Sequence, residues 1–212
     1  MGGNKGREKI RLNITSNLKN MSRVLVLQGG ISDEKEVSDA TADSCKEALK
    51  RIKLDVEAVS VNSTNIYKLA EVIKNKDPDV IFNALHGGIG EDGTIQGLFE
   101  TLKIPYTHSG VLSSAMAMNK FISKKIFKAS GLPVIEDILL IGGHQLNRIP
   151  FAPPFVIKPN NGGSSVGIHF IKCKEQIEEV RRFASDQDRK YLLEKYIPGR
   201  ELTVAVLNGR PC

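Results

Sequence analysis

Three cysteines are few for 212 residues, and Cys45, Cys173 and Cys212 stand far apart. They build neither a disulfide framework nor a metal-type spacing, which points to a reduced, cytoplasmic compartment. Long apolar runs are missing too. None approaches the ~20 residues needed to span a bilayer, so no membrane partner is expected. Met1 to Asn20 is polar and basic through Lys5, Arg7, Lys9, Arg11 and Lys19. It lacks the apolar middle of a signal peptide, which argues against export. Its charges also lack interleaved aromatics and match no nucleic-acid module, so no nucleic-acid partner is expected. A solvated, disordered tail over residues 1–22 is the simpler reading. A clean strand pattern begins directly after Met21, which would suit that methionine as a natural start.

What remains is ordinary for a globular protein: 41% hydrophobic residues, 25% charged residues and a formal net charge of +6. The length allows one large domain or two small ones. The modest positive charge suits an anionic substrate such as a nucleoside triphosphate.

From Arg23 onward, strand-like and helix-like segments alternate. Arg23–Gln28 is an apolar run stopped by Gly29 and Gly30. A helix is expected from about Ser38 to Arg51, with Ala40, Cys45, Ala48 and Leu49 on its buried face. Val56–Val61 reads as a strand and Ile66–Lys74 as a helix. Val80–Leu85 is a near-continuous apolar run, as expected of a strand covered on both faces. This β-α-β-α-β order favours a parallel sheet with helices packed on it. From Lys120 the character changes. Lys120–Ala129 reads as a helix closed by Gly131 and Pro133. Gly142, Gly143 and the Pro150–Pro154 cluster mark a junction. Strands are expected at Phe155–Lys158, Val166–Ile171 and Tyr191–Tyr196, and a helix at Glu175–Phe183. Leu202–Leu207 reads as a strand, and Asn208-Gly209 is a strong hairpin signal. The chain stops at Arg210-Pro-Cys, so the outgoing strand is expected to lack its partner, as in part of a larger protein.

Three loops carry the chemistry. Ile157-Lys-Pro-Asn-Asn-Gly-Gly-Ser-Ser-Val-Gly167 offers free backbone N–H groups, small side chains and Lys158. Such a loop suits an anion such as a phosphate, or is a plain surface hairpin loop. It has neither the ending of a Walker loop nor the spacing of a dinucleotide fingerprint. No such fingerprint follows the first strand either, which argues against a nicotinamide enzyme. The other two loops follow strands and should share the carboxyl edge of the sheet, where ligands gather. One is Gly29–Ser38, where Asp33 and Glu36 suit a capping arrangement and Glu34 suits an ammonium group. The other is His86–Gly93, where Asp92 suits an N-cap and His86 enters a loop that lets backbone approach a ligand. Lys158 ends an apolar strand and needs an anion, either a carboxylate or a phosphate. Glu194 lies in an apolar strand and Glu201 follows it. Each either pairs with a lysine or accepts from adenine and ribose.

Gly29-Gly-x-Ser-x-Glu-x-Glu-Val-Ser38, His86-Gly-x-x-Gly-Glu-Asp-Gly-x-x-Gln-Gly97 and Lys158-Pro-x-x-x-Gly-Ser-Ser-Val-Gly167 together resemble the D-alanine–D-alanine ligase family of ATP-grasp enzymes. Pro105-Tyr-Thr, Ser114-Ala-Met-Ala-Met-Asn-Lys and Leu193-Glu-Lys-Tyr-Ile-Pro-Gly-Arg-Glu fit the same family. The resemblance runs from about Arg23 to Gly209. It implies an N-terminal Rossmann-like (pre-ATP-grasp) parallel-sheet domain over residues 23–119. The first, incomplete part of an ATP-grasp domain would follow over 120–212.

The implied reaction joins two D-alanine molecules for peptidoglycan, through an acyl phosphate, with ATP converted to ADP. A truncated, inactive nucleotide-binding fragment, or another ATP-grasp carboxylate–amine ligase, is the alternative. The resemblance gives Glu34 the ammonium of the first D-alanine, His86 its carboxylate, and Ser164 the orientation of substrate. Lys120 and Lys158 would contact ATP phosphates, with Ser165 and Gly167 in the glycine-rich turn. Glu194 would recognise adenine, helped by backbone near Lys195 and Ile197, and Glu201 would bind ribose. A cytoplasmic homodimer is implied. His108 and Asn119 depart from the family pattern, which usually has glycine and aspartate there. The family's arginine for the oxyanion, and its two acidic ligands and asparagine ligand for Mg2+ (or Mn2+), match no residue here. The chain alone is therefore expected to make little or no dipeptide.

Overall fold

The computed structural model describes residues 23–141, 149, 151–163, 167–178, 190–207 and 209–211. Several expectations lie outside these residues: the tail, Gly142 and Gly143, Pro150, Ser164, Ser165, Val166, residues 179–183 of the expected helix, Asn208 and Cys212. The described residues form two compact units. One lies within Met1–Ser123 and Asn161–Val166, the other within Lys124–Asn160 and Gly167–Cys212.

The first unit is built on three parallel strands in the order β2-β1-β3, with β1 over Arg23–Gly29, β2 over Asp55–Val61 and β3 over Val80–Asn83. Successive side chains of a strand face opposite ways. Leu25 and Leu27 of β1 therefore enter one core with Leu69, Ile73, Ile81, Ile95 and Phe99. Val24 and Val26 enter a second core with Ala42 and Ala84. A central strand covered on both faces has no polar side, which is why Val24–Leu27 reads as an unbroken apolar run.

Helix α1 (Lys35–Arg51) supplies Ala42 to the second core, while α2 (Ile66–Lys76) and α3 (Thr94–Leu102) supply the first. The buried stripe of α1 differs from the expected one. Ser38 and Ala42 are buried, with Cys45 and Leu49 partly so, while Ala40 and Ala48 are exposed. These four recur at i, i+4, i+7 and i+11, a single helical face. Ser38 tolerates the core because its Oγ donates to the Ala84 carbonyl at 2.8 Å. Ser38→Ala removes that donor from a dry site and should cost about 1–2 kcal/mol. Urea unfolding measures this, and an unchanged midpoint would show the hydroxyl to be idle.

The helix also starts earlier than expected, at Lys35. Glu34 is its N-cap and no side chain caps it, so the Asp33–Glu36 capping arrangement is not formed. Helix α2 is capped by Asn65, whose side chain accepts from Lys68 N at 3.1 Å. Helix α4 (Val111–Met118) was not legible in the sequence, and α5 runs over Lys120–Ala129 as expected.

The second unit carries an antiparallel sheet in the order β4-β7-β5-β6. The strands are β4 (Asp137–Ile141), β5 (Phe155–Pro159), β6 (His169–Ile171) and β7 (Lys190–Lys195). Leu140, Phe155, Ile157, Ile171, Tyr191 and Leu193 form the core on one face. Alternation then forces their neighbours to the other face. The register sets Glu194 opposite Asp137 and Val156, and Lys158 opposite Leu192. Strand β6 is shorter than the expected Val166–Ile171. A 3-10 turn over Lys174–Gln176 lies where the expected Glu175–Phe183 helix begins. Only β8 (Val206–Leu207) of the expected Leu202–Leu207 strand is formed. It does meet a returning strand, β9 (Arg210–Pro211), contrary to expectation.

Candidate functional site

The first-unit site grows from the ends of β1 and β3. Both strands are parallel, so both chains leave the sheet along one edge. Ser32 ties the two exits together: its Oγ donates to the His86 carbonyl at 2.7 Å and accepts from Glu34 N at 3.3 Å. The His86 ring is half-buried. Its Nε2 lies 3.0 Å from Thr41 Oγ1, and its Nδ1 lies 3.8 Å from Glu91 Oε1. Glu91 Oε2 in turn accepts from Gly87 N at 2.9 Å.

Two buried amides hold the rest of this loop. Asn83 Nδ2 and Gln96 Nε2 both donate to the Gly90 carbonyl, at 2.9 and 2.8 Å. Gln96 Oε1 accepts from Gly93 N at 3.1 Å. The helix N-cap is Gly93, with a φ of 95°, rather than Asp92. Asp92 still accepts from Thr94 N at 2.9 Å. Neither Asn83, Gln96 nor Thr41 was singled out from the sequence. The available signal was a polar amide closing an apolar run, as Asn83 closes Val80–Phe82.

Backbone crowds Glu34. A Cβ on Gly87 would collide with Glu34 Oε2, and a Cβ on Gly163 would approach the same atom to 3.2 Å. Glycine at both positions lets two loops pass beside the carboxylate. Lys120, the first residue of α5, donates from Nζ to the Gly162 carbonyl at 2.6 Å. Gly162 N donates to Met118 Sδ at 3.3 Å. Glu34, His86 and Lys120 are thus gathered around Gly87 and Gly162–Gly163.

In the second unit, Lys158 meets a carboxylate. Its Nζ pairs with Glu194 Oε2 at 2.5 Å, and Lys124 Nζ pairs with Glu194 Oε1 at 2.7 Å. Lys124 also donates to the Ile135 carbonyl at 2.6 Å and lies 3.3 Å from Asp137 Oδ1. Asp137 Oδ2 is buried without a hydrogen-bond partner among the described residues. Burial raises the pKa of Glu194, but hydrogen bonds from Lys124 and Lys158, and their charges, prevail and hold it below the ordinary value. Lys124 was missed in a helix that also holds Lys120, Lys125 and Lys128. Gly167 is exposed with a φ of 73°, and a Cβ there would touch Pro159 at 3.0 Å. Lys195 N donates to the Glu136 carbonyl at 3.1 Å, while Ile197 and Glu201 are exposed. Ser164 and Ser165 lie outside the described residues.

Among the described residues, no group of three or more His, Cys, Asp or Glu side chains is placed to hold a metal ion. Glu194 is engaged by Lys124 and Lys158, and Glu91 by Gly87 N, so these carboxylates do not fit a magnesium site. No step through a metal is derived below. No helix of the described residues is long and apolar enough to cross a membrane.

The family sequence model for the D-ala D-ala ligase N-terminus matches residues 68–109, and that for the D-ala D-ala ligase C-terminus matches residues 144–211. The D-alanine–D-alanine ligase of Cereibacter sphaeroides is 45% identical over 188 residues. The chain belongs to the D-alanine–D-alanine ligase family. The alignment with the Cereibacter protein covers 89% of this chain and 59% of the relative. A Jannaschia D-alanine–D-alanine ligase is 46% identical over 191 residues, covering 90% and 60%. Among solved structures, the D-alanine–D-alanine ligase of Bacillus anthracis superposes with a TM-score of 0.70 at 37% identity, covering 84% of this chain and 58% of that one. A second structure of that enzyme, complexed with ATP, gives 0.71 at 35% identity, covering 85% and 58%. The chain therefore spans about 59% of the length of the relatives it matches.

Proposed function

We propose that this chain serves the ATP-dependent joining of two D-alanine molecules, with residues 23–119 as the amino-acid domain and 120–212 as part of the ATP-grasp domain. The observation that carries this reading is the convergence of Glu34, His86 and Lys120 around the glycine-rich Gly162–Gly163 segment. A carboxylate crowded by backbone suits the ammonium of a small amino acid and leaves little room for a large one. His86, fixed through Thr41 and Glu91, stands ready to meet the substrate's carboxylate. Transfer of a phosphoryl group to that carboxylate gains most from positioning and from cations that offset charge. Lys120 and Lys158 supply those charges. Loss of phosphate follows attack by the second amino acid's amine.

Glu194 serves the base, Lys195 and Ile197 assist through their backbone, and Glu201 serves the ribose. Ser164, Ser165 and Gly167 belong to the phosphate-facing loop. A cytoplasmic location and a homodimer through the first unit accompany this reading, as does a role in peptidoglycan precursor synthesis.

Calorimetric titration of the chain with D-alanine and with ATP tests it, beside an assay for D-alanyl-D-alanine. Loss of one charge-assisted hydrogen bond should make Glu34→Gln bind D-alanine about 10- to 100-fold more weakly, with ATP binding unchanged. Equal D-alanine binding by Glu34→Gln, or none by the wild type, would overturn the assignment. Binding of both ligands without dipeptide would leave the chain a binding module.

A further inference from the structure

A cavity of about 360 Å3 opens in the first unit, bordered among others by Glu91, His108, Ser113, Ser114, Lys120 and Gly163. His108 has a φ of 109°, left-handed territory that favours glycine. An imidazole-bearing residue is held there only when its surroundings impose it, and such outliers gather at binding sites. The lining is suited to an anion. It offers the Lys120 ammonium, the His108 ring and the Ser113 hydroxyl from the first turn of α4, whose N-cap is Gly110; the Ser114 hydroxyl already donates to the Ser109 carbonyl at 3.1 Å. The one acid on this wall, Glu91, is already engaged by Gly87 N and lies beside His86.

We propose that His108 is a substrate-binding residue of the amino-acid site, hydrogen-bonding the carboxylate of D-alanine and adding a positive charge to the site when protonated. The proposal rests on the ligase reading and adds a second imidazole to it.

The titratable and charged groups facing His108 are Glu91, His86 and Lys120. Loss of solvent around the ring lowers its pKa, Glu91 raises it and His86 lowers it, with a net lowering. The ring therefore takes its proton less readily than a free imidazole, and acidification favours its charged form. D-alanine keeps its carboxylate charge throughout that range.

The test is calorimetric titration of D-alanine into the whole chain between about pH 8 and pH 5.5. Wild type, His108→Gly and His108→Asn are compared. Wild-type affinity should rise about two- to fivefold on acidification. Both variants should lose that rise. Asparagine tolerates positive φ and keeps a hydrogen-bonding group, so His108→Asn should retain more of the affinity than His108→Gly. The melting temperature of His108→Gly should rise as the strained side chain is removed. D-alanine binding with the same pH slope in His108→Gly as in wild type would overturn this proposal alone. Absence of D-alanine binding by the wild type at every pH would overturn it together with the ligase reading.

Discussion

Glu194→Ala is expected to lower the unfolding free energy of the second unit by about 3–5 kcal/mol. The side chains of Glu194 and Lys124 are only 10% and 11% exposed, and Lys158 is 22% exposed. Removing the carboxylate strands two ammonium groups in a poorly solvated place. Lys124 keeps the Ile135 carbonyl and Asp137, while Lys158 loses the one ion-pair partner found for it among the described residues. Glutamine also removes the charge but keeps a carbonyl oxygen that accepts from one ammonium, so Glu194→Gln should suffer less than Glu194→Ala. The acid limb of the stability curve gives an independent check. A carboxylate whose folded pKa is depressed contributes its stabilisation above the unfolded value and loses it as pH falls through the folded one. Wild-type stability should therefore decline as pH drops below about 4.5, and Glu194→Gln should lack that component. Urea unfolding at several pH values measures both effects. Equal acid slopes in wild type and Glu194→Gln would show the ion pairs to be inert.

Gly93→Ala should destabilise the first unit by about 2–4 kcal/mol, combining backbone strain with a steric clash. Its φ is 95°, and a Cβ there would sit 2.7 Å from the Val111 carbonyl oxygen and 3.5 Å from Ala115 Cβ. The first of these is backbone and cannot rotate away. Gly97 supplies the contrast on the same helix. Its only contact from an added Cβ is Val111 Cγ2 at 4.0 Å, an ordinary van der Waals distance. Gly97→Ala should raise stability by about 0.5–1 kcal/mol, because alanine loses less freedom in a helix. Thermal unfolding of the two variants side by side should give shifts of opposite sign. Shifts of the same sign would refute the account of this helix start.

The parallel sheet was legible because its strands obey the physics of burial on two faces. Val24–Leu27 cannot alternate when both sides are covered. The helix stripe of α1 was misjudged for a related reason. Apolarity pointed to Ala40 and Ala48, yet the position between β1 and β3 exits was taken by Ser38, whose hydroxyl found Ala84. Helix α4 escaped notice because Val111–Met118 is rich in small residues and shows no stripe. Strand β4 opens on a charged residue, Asp137, whose carboxylate meets Lys124 of α5. Leu202–Leu207 has strand propensity along its length, but a strand needs a neighbour, and the described partner reaches only Val206 and Leu207. At the site, Glu34, His86 and Lys120 could be named from the glycine loops that surround them. Thr41 and Lys124 could not, because each acts on a residue remote in sequence, and the roles of Asn83 and Gln96 depend on how the loop folds Gly90 back onto them.

Lys158 is not waiting in water; Glu194 already occupies it. An arriving anion at that position displaces a carboxylate rather than a hydration shell, so binding there is a contest between two anions for one cation. A singly charged visitor gains little by replacing an equal charge that is tethered and always present. A polyphosphate, with several charges at one point, would compete better, and Lys124 would keep the evicted carboxylate from being left alone.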